Sequence, residues 1–487
     1  MADQWANQPG TVDLHLDLDL GGPGGVRASL TDALREAVRS GRLAPGTRLP
    51  PSRSLATDLG VARNTVADAY GELVAEGWLT ARQGSGTRVA RRVTGPDGGR
   101  RGKRSAKPVR PPAPLGPFAP FHTSTSLYAG SPDLSAFPRT AWLAAARRAL
   151  ATAPNEMFGY GDPRGCQPLR EALAEYLSRA RGVRTTPEQL VVCSGFTQGL
   201  SLLSRVLRAD GVRTLAMESY GLDVHRDLAV AGGLTSVPLT VDHHGADTTQ
   251  LTTRRHHGAV LLTPAHQFPT GVPLHPDRRA AAVDWARSTG GLVLEDDYDG
   301  EFRYDRQPVG ALQGLDPERV VYLGTASKSL APALRLGWMA LPGHLVERVV
   351  TAKQADERHP SVLDQLTLAE FITSGGYDRH LRAMRLRYRR RRDRLVAALA
   401  ERVPSVRVSG IAAGLHVVLR LPPGTEQQAL RSADWLSLAV QGLDSFRHPA
   451  VPRPEAGDGL VVGYGTPAEH AFTGALDTLC QVLEAVV

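Results

Sequence analysis

The chain has 487 residues, 42% hydrophobic and 6% aromatic, with a net charge of +8; that length suits more than one domain and a large buried core. It contains no run of eighteen apolar residues, which excludes a single apolar membrane span. Met1–Trp5 lacks the basic start of a signal peptide, and three widely spaced cysteines (Cys166, Cys193, Cys480) argue against a disulfide framework or zinc site and for a reducing cytoplasm.

Leu30, Leu34 and Val38 fall at helical spacing, and the turn residues Gly41–Gly46 end that helix. A short second helix is expected from about Ser52 to Asp58, with Pro51 before it and Gly60 after it. A third starts at Ala62-Arg63-Asn64-Thr65-Val66 and runs through Tyr70, Leu73 and Val74. Two helices joined by a brief glycine turn make a helix-turn-helix, whose second helix can enter a major groove N-terminus first. Gly77–Val89 then reads as a two-stranded wing. Between Arg91 and Pro117 lie eight basic residues and one acid, Asp97, in a Pro/Gly-rich stretch without apolar periodicity. This predicts a basic linker beside a small domain, a charge pattern suited to nucleic acid.

Further on, Phe158–Gly165 is a glycine-rich segment holding Tyr160. Leu190–Leu200 reads as strand, tight turn and helix, with Gly195, Phe196 and Thr197 at the turn, where backbone N–H groups can cradle an anion. Met217–Gly221 offers Tyr220 after an apolar segment, and Thr263–Gly271 follows with His266 and Gln267. Gly291–Phe302 is an apolar run ending in acids, as expected of a buried parallel strand with functional groups at its C-terminal end. Three acids in four residues also suit a solvated turn or a divalent-metal loop, but no second acidic or histidine cluster accompanies them. In Thr325–Trp338, Lys328 sits among small hydroxyl residues, with Arg335 seven positions later. A lysine that condenses with a cofactor aldehyde needs such hydroxyls, and a fixed cation to neutralise the cofactor phosphate. His380–Arg394 carries eight arginines on an expected helix, read as a mostly solvated face.

The run from Gly46 to Val89 resembles the winged helix of GntR regulators, in its Leu49-Pro50-x-x-Arg53, Leu59-Gly60-Val61-x-Arg63-x-Thr65-Val66, Ala69-Tyr70-x-x-Leu73 and Gly84-Ser85-Gly86-Thr87-x-Val89 segments. By that match Arg53, Arg63, Asn64, Thr65, Gln83 and Gly84 face double-stranded operator DNA, with Arg48 and Ser52 as further phosphate contacts. Arg63 is suited to guanine and Asn64 to adenine. The lysine segment resembles that of fold-type I pyridoxal-phosphate enzymes. The resemblance implies that Lys328 binds the cofactor aldehyde, Asp296 pairs with the pyridine nitrogen and Tyr298 bonds the ring hydroxyl. It makes Gly195, Phe196, Thr197, Thr325, Ser327 and Arg335 the phosphate site and Tyr220 the stacking aromatic, on a segment shorter than the usual E-D-P-x-Y form. The usual asparagine is missing from Thr263–Gly271, so His266 or Gln267 takes its contact to the ring. Tyr160 resembles the tyrosine that reaches the partner subunit's phosphate.

Together the two halves resemble the MocR subfamily of GntR regulators. The resemblance implies a winged helix-turn-helix domain at 12–90, a linker at 91–120 and a domain at 121–487 with an α/β fold-type I transferase fold, a mostly parallel sheet and a small C-terminal α+β subdomain. It further implies a head-to-tail homodimer, pyridoxal 5'-phosphate as cofactor, an amino-acid or amine effector, and control of vitamin B6, amino-acid or amine metabolism genes. The alternative is a working aminotransferase with a DNA-binding appendage. One departure stands out: Gly459–Gly465 lacks the arginine that holds a substrate carboxylate in aminotransferases, and only Arg447 and Arg453 lie nearby. Losing that clamp favours pyridoxal phosphate itself, or an amine without a carboxylate, as the sensed ligand.

Overall fold

The computed structural model describes residues 25–40, 42–82, 86–90, 126–253, 258–304, 309–357, 361–454 and 457–487. Gly41, Gln83, Gly84, residues 12–24 and the linker 91–120 lie outside them. The chain divides into two compact units, Met1–Pro111 and Pro112–Val487.

In the first unit, α1 (Gly25–Arg39) buries Leu30, Leu34 and Val38, the positions that share one helical face. Helix α2 is Ser52–Asp58, α3 is Arg63–Ala75, and β1 (Leu79–Arg82) pairs antiparallel with β2 (Gly86–Val89). Their core holds Leu30, Leu34, Leu55, Val66, Leu73, Leu79 and Val89. The buried Tyr70 hydroxyl donates to the Pro50 carbonyl at 2.9 Å, tying α3 to the entry of α2. Gly60, between α2 and α3, has φ +65° with open space where a Cβ would lie. Backbone conformation, rather than crowding, favours glycine there.

The second unit begins with α4 (Arg139–Thr152) and α5 (Gln167–Arg181). Strands and helices then alternate: β3 (Leu190–Cys193), α6 (Phe196–Ala209), β4 (Thr214–Glu218), α7 (Asp223–Ala231) and β5 (Thr235–Leu239). A small hairpin of β6 (Val241–Asp242) and β7 (Gly245–Ala246) leads to α8 (Gln250–Thr253). Next come β8 (Ala259–Leu262), α9 (Pro276–Thr289), β9 (Leu292–Asp296), β10 (Val320–Thr325) and β11 (Gly337–Ala340). Seven of these strands form one sheet in the order β3-β11-β10-β9-β8-β4-β5, parallel except that β11 runs against both neighbours. Strands β3, β8, β9, β10 and β11 are buried along their whole length, which explains why they read as continuous apolar runs.

Helices α10 (Gly343–Asp356), α11 (Val362–Thr373) and α12 (Gly376–Arg402) lead to the small subdomain. There β12 (Arg407–Ser409), β13 (Val417–Arg420), α13 (Glu426–Trp435), β14 (Gln441–Gly442), β15 (Gly459–Val462) and α14 (Glu469–Glu484) build an antiparallel sheet, ordered β12-β13-β15-β14, with two helices. The expected α/β fold with a small α+β subdomain is the one found. Among the described residues no helix is long and apolar enough to cross a membrane.

The arginine-rich helix departs in part from a solvated face. On α12 the buried positions Leu381, Met384, Tyr388, Arg391, Leu395 and Leu399 recur every three or four residues, so Arg391 falls in the apolar stripe. It is 1% exposed and bonds Asp133 and Glu469, each at 2.8 Å, and the Pro467 carbonyl at 2.8 Å. A cation in that position requires such partners.

Candidate functional site

Because β3, β4, β8, β9 and β10 are mutually parallel, their C-terminal ends share one edge of the sheet, where ligands bind in open α/β sheets. That edge carries Gly195, Glu218, Thr263, Asp296 and Thr325. Lys328 follows β10 and donates from Nζ to the Gly130 carbonyl. Gly130 belongs to a segment anchored from below: its neighbour Asp133 is held by Arg391 and Arg387, and its backbone N–H donates to the Tyr388 hydroxyl at 3.0 Å. Burial pushes the Lys328 ammonium down, against the opposing charges of Asp296 and Asp299. A lysine so biased towards its free amine is a better nucleophile.

Asp296 is 5% exposed, and its buried Oδ1 has no hydrogen-bond partner among the described residues. Burial drives its carboxyl well above the ordinary range; Lys328 opposes that shift, and Asp297, Asp299 and Glu218 add to it. Such a carboxyl lacks the one thing that would stabilise its charge, a cationic or N–H partner. Tyr298 is buried beside it, its hydroxyl 3.1 Å from His266 Nδ1, which also lies 2.8 Å from Asp299 Oδ2. His266 Nε2 is buried with no partner among the described residues. Gln267, in contrast, is consumed locally: it donates to Glu218 at 3.1 Å and to the Tyr220 carbonyl at 2.9 Å, and accepts from Thr270 N at 3.1 Å. Of the two replacements for the missing asparagine, His266 has bonding capacity left.

Gly195 caps α6 with φ +91° and ψ 174°, and a Cβ there would stand 3.3 Å from Arg335 Nη1. Arg335 lies across the turn, its Nη2 3.4 Å from Thr197 Oγ1. Thr325 Oγ1 bonds Ser327 Oγ at 2.9 Å and accepts from Ser327 N at 3.1 Å. Gly195, Phe196, Thr197 and Arg335 thus gather at one helix N-terminus, the geometry that binds a phosphate. Tyr220 is half-buried against the Phe268, Tyr298, Phe446 and Val461 cluster. Tyr160 stands 87% exposed on its loop.

Three features escaped the sequence reading. Gly130 is one, and its Gly130-Ser131-Pro132-Asp133 turn chemistry was a usable signal. His225 is another: its ring lies 4.5 Å from that of Phe196, and its pKa is pushed down to about 3 by burial, with Lys328 and Arg226 adding. It is a second aromatic at the site, and nothing in its surrounding sequence marks it. The third is Arg420 on β13, whose charge, with that of Arg447, opposes the upward push of burial on the Tyr220 phenol. The two arginines considered as carboxylate clamps are occupied: Arg447 by Asp444 at 2.7 Å and Arg453 by Asp458 at 3.0 Å.

In the first unit, Arg63, Asn64 and Thr65 form the first turn of α3, with Arg63 and Asn64 exposed. Arg53 is exposed on α2, with Ser52 half-buried at its start. Arg48 bridges to Arg88 of the wing and packs its guanidinium over Gly86. Neither Arg53 nor Arg63 has an ion pair or side-chain hydrogen bond among the described residues, so both are open to an external anion.

The family of bacterial regulatory proteins, gntR family, matches residues 27–89, and aminotransferase class I and II matches residues 125–442. The pyridoxine biosynthesis transcriptional regulator PdxR of Corynebacterium glutamicum is 33% identical over 465 residues, covering 96% of this chain and 97% of its own. The probable rhizopine catabolism regulatory protein MocR of Rhizobium meliloti is 33% identical over 445 residues, covering 88% and 87%. The chain belongs to the MocR-type GntR regulators. Among solved structures, an archaeal alanine:glyoxylate aminotransferase is similar in fold, with a TM-score of 0.67, 23% identity and coverage of 74% of this chain and 91% of its own.

This MocR-type regulator therefore joins a DNA-binding winged helix to an aminotransferase-like domain whose cofactor is pyridoxal 5'-phosphate. The residues present fit that cofactor. The unpartnered Asp296 Oδ1 suits a protonated ring nitrogen, and the Gly195 turn with Arg335 suits a phosphate. When bound, the cofactor supplies an aldehyde that condenses with amines and a ring that takes up electron density.

Proposed function

We propose that this protein is a cytoplasmic transcriptional regulator that senses pyridoxal phosphate, or an amine that reacts with it, and converts occupancy into altered operator affinity. Domain limits of 12–90, 91–120 and 121–487 serve that reading. Lys328 holds the cofactor covalently, Asp296 keeps its ring nitrogen protonated, and Tyr298 with His266 contacts the ring hydroxyl. Gly195, Phe196, Thr197, Thr325, Ser327 and Arg335 take the phosphate, and Tyr220 and His225 flank the ring. Arg53, Arg63, Asn64 and Thr65, together with the wing, contact DNA. The homodimer is head-to-tail, and Tyr160 reaches the partner's site; its exposure in a single chain supports this.

The observation that carries the sensor reading is the site's far wall. Val461 of β15, within the Gly459–Gly465 segment that lacks the expected arginine, packs in one buried cluster with Phe268, Tyr298, Val418 and Phe446. An apolar wall suits the cofactor alone or an amine without a carboxylate, and removes the positioning that transamination of amino acids needs. Target genes of vitamin B6 or amine metabolism fit that ligand class, and the relatives named for pyridoxine biosynthesis and rhizopine catabolism support it.

The experiment is operator affinity with and without pyridoxal phosphate, for wild type and Lys328→Ala, beside a transaminase assay over amino acids and amines. A cofactor-dependent change of about 1–3 kcal/mol in wild type alone is expected. Equal affinity throughout, with fast multiple turnover, would promote the alternative of an aminotransferase with a DNA-binding appendage.

A further inference from the structure

A second concavity in the second unit lies apart from every residue assigned to the cofactor. Asp296 belongs to the cofactor edge, but Asp297 points elsewhere, since successive side chains leave a strand on opposite sides. It takes a two-pronged bond from Arg181, at 2.7 and 2.9 Å, and a third from the Tyr322 hydroxyl at 2.8 Å. Above that pair opens a cavity of about 360 Å³, walled by the end of α5, the start of α12 and the 300–303 turn. Its volume lies in the range of small-molecule sites.

The lining is cationic. Arg181 is neutralised by Asp297 and Arg179 is paired with Asp378, which leaves Arg382 and Arg385 against the carboxylate of Glu301. Burial, helped by Asp297 and opposed by Arg181, pushes Glu301 up to about 7, so at neutral pH it carries only part of a negative charge. Arg179 gives one donor to Asp378 at 2.8 Å, and Arg385 gives its Nε to the Glu301 carbonyl. A guanidinium has five donors, so each keeps others for a ligand. Arg382 is exposed and makes no ion pair or side-chain hydrogen bond among the described residues. Arginines crowded round one cavity repel one another, and a compact multiply charged anion relieves that repulsion while matching their forked geometry.

We propose that this cavity is an effector site for a small phosphorylated anion, separate from the cofactor phosphate site. A duplex cannot enter a walled cavity of this volume, which favours a small molecule over DNA. The site is also wired to the lysine loop. Helix α12, which carries Arg382 and Arg385, also carries Tyr377 and His380, and these bond the Ser329 hydroxyl and carbonyl, each at 2.8 Å, one residue after Lys328.

The test is calorimetric titration of the full chain, saturated with pyridoxal phosphate to block the Gly195 turn, using pyrophosphate and, separately, a short operator-free duplex. One pyrophosphate per chain is expected, with affinity at least tenfold weaker in Arg382→Gln, intermediate in Arg382→Lys, and cofactor content unchanged in both. The proposal is overturned by equal pyrophosphate affinity in wild type and Arg382→Gln. It is equally overturned if pyrophosphate binds only after the cofactor is removed, or if the duplex alone responds to Arg382→Gln. Cofactor content, read from visible absorbance before titration, separates failure of the effector site from failure of the cofactor site.

Discussion

At the residue scale, the buried acids beside the site make stability depend on pH. Glu301, buried under Tyr176 and Arg385, keeps its proton up to about pH 7 in the folded chain, whereas an exposed glutamate releases it near pH 4.3. Between those values the unfolded chain binds fewer protons than the folded one, so this group's contribution to stability falls as pH rises and is level above about 7. Glu301→Gln removes that loss. In urea unfolding the variant should match wild type near about pH 4.5 and exceed it by about 3 kcal/mol at about pH 8, from roughly 1.4 kcal/mol per pKa unit. A gap that is the same at both pH values would mean Glu301 is ionised in the folded protein. The motif around Lys328, Asp296 and Arg335 was legible because each group answers a distinct chemical need at a set place in the chain. The choice between His266 and Gln267 was not, because adjacent residues of one loop differ only in which way the fold turns them.

At the element scale, α3 presents its first turn, Arg63-Asn64-Thr65, while Val66, Ala69, Tyr70 and Leu73 anchor the opposite face. The exposed turn and the packed face are therefore separate, so Arg63→Ala should weaken operator binding without lowering the unfolding midpoint. The expected cost is about 1–3 kcal/mol at a specific site if the residue reads a base. If it contacts only phosphate, the slope of log affinity against log salt should flatten by about 0.9 instead. Unchanged operator affinity in Arg63→Ala would take the residue off the recognition surface. The limits of α2 and α3 could be read from proline, glycine and apolar spacing, because caps and periodicity are local properties. Arg391 could not be assigned that way: only the partners Asp133 and Glu469, 258 and 78 positions away in sequence, make a buried arginine tenable on α12.

At the scale of the whole molecule, the second unit has an apolar face that a lone chain leaves in water. Leu143, 67% exposed, and Leu150 lie two turns apart on α4, and Leu363 is exposed on α11, the helix packed against it. With Phe158 and Tyr160 exposed on the loop that follows, these residues suit a subunit contact that also delivers Tyr160. Sedimentation should find the wild-type chain a dimer. Leu143→Asp should shift it towards monomer and, because the partner's tyrosine is then lost, lower cofactor affinity. A Leu143→Asp protein that stays dimeric with full cofactor affinity would place the interface elsewhere.

By itself the sequence determined the two-part organisation, the elements of the winged helix, the parallel core strands and the ordered lysine, acid and glycine-turn motifs. All of these rest on local periodicity, turn chemistry or fixed chain order. Only the tertiary structure decided which groups meet. It put Gly130 against Lys328, left Asp296 Oδ1 without a partner among the described residues, set Val461 among Phe268 and Tyr298, and gathered arginines of α5, α12 and the 300–303 turn round one cavity. Each of those meetings joins residues far apart in the chain, and their energies come from desolvation and charge in a shared volume, which a one-dimensional pattern does not encode.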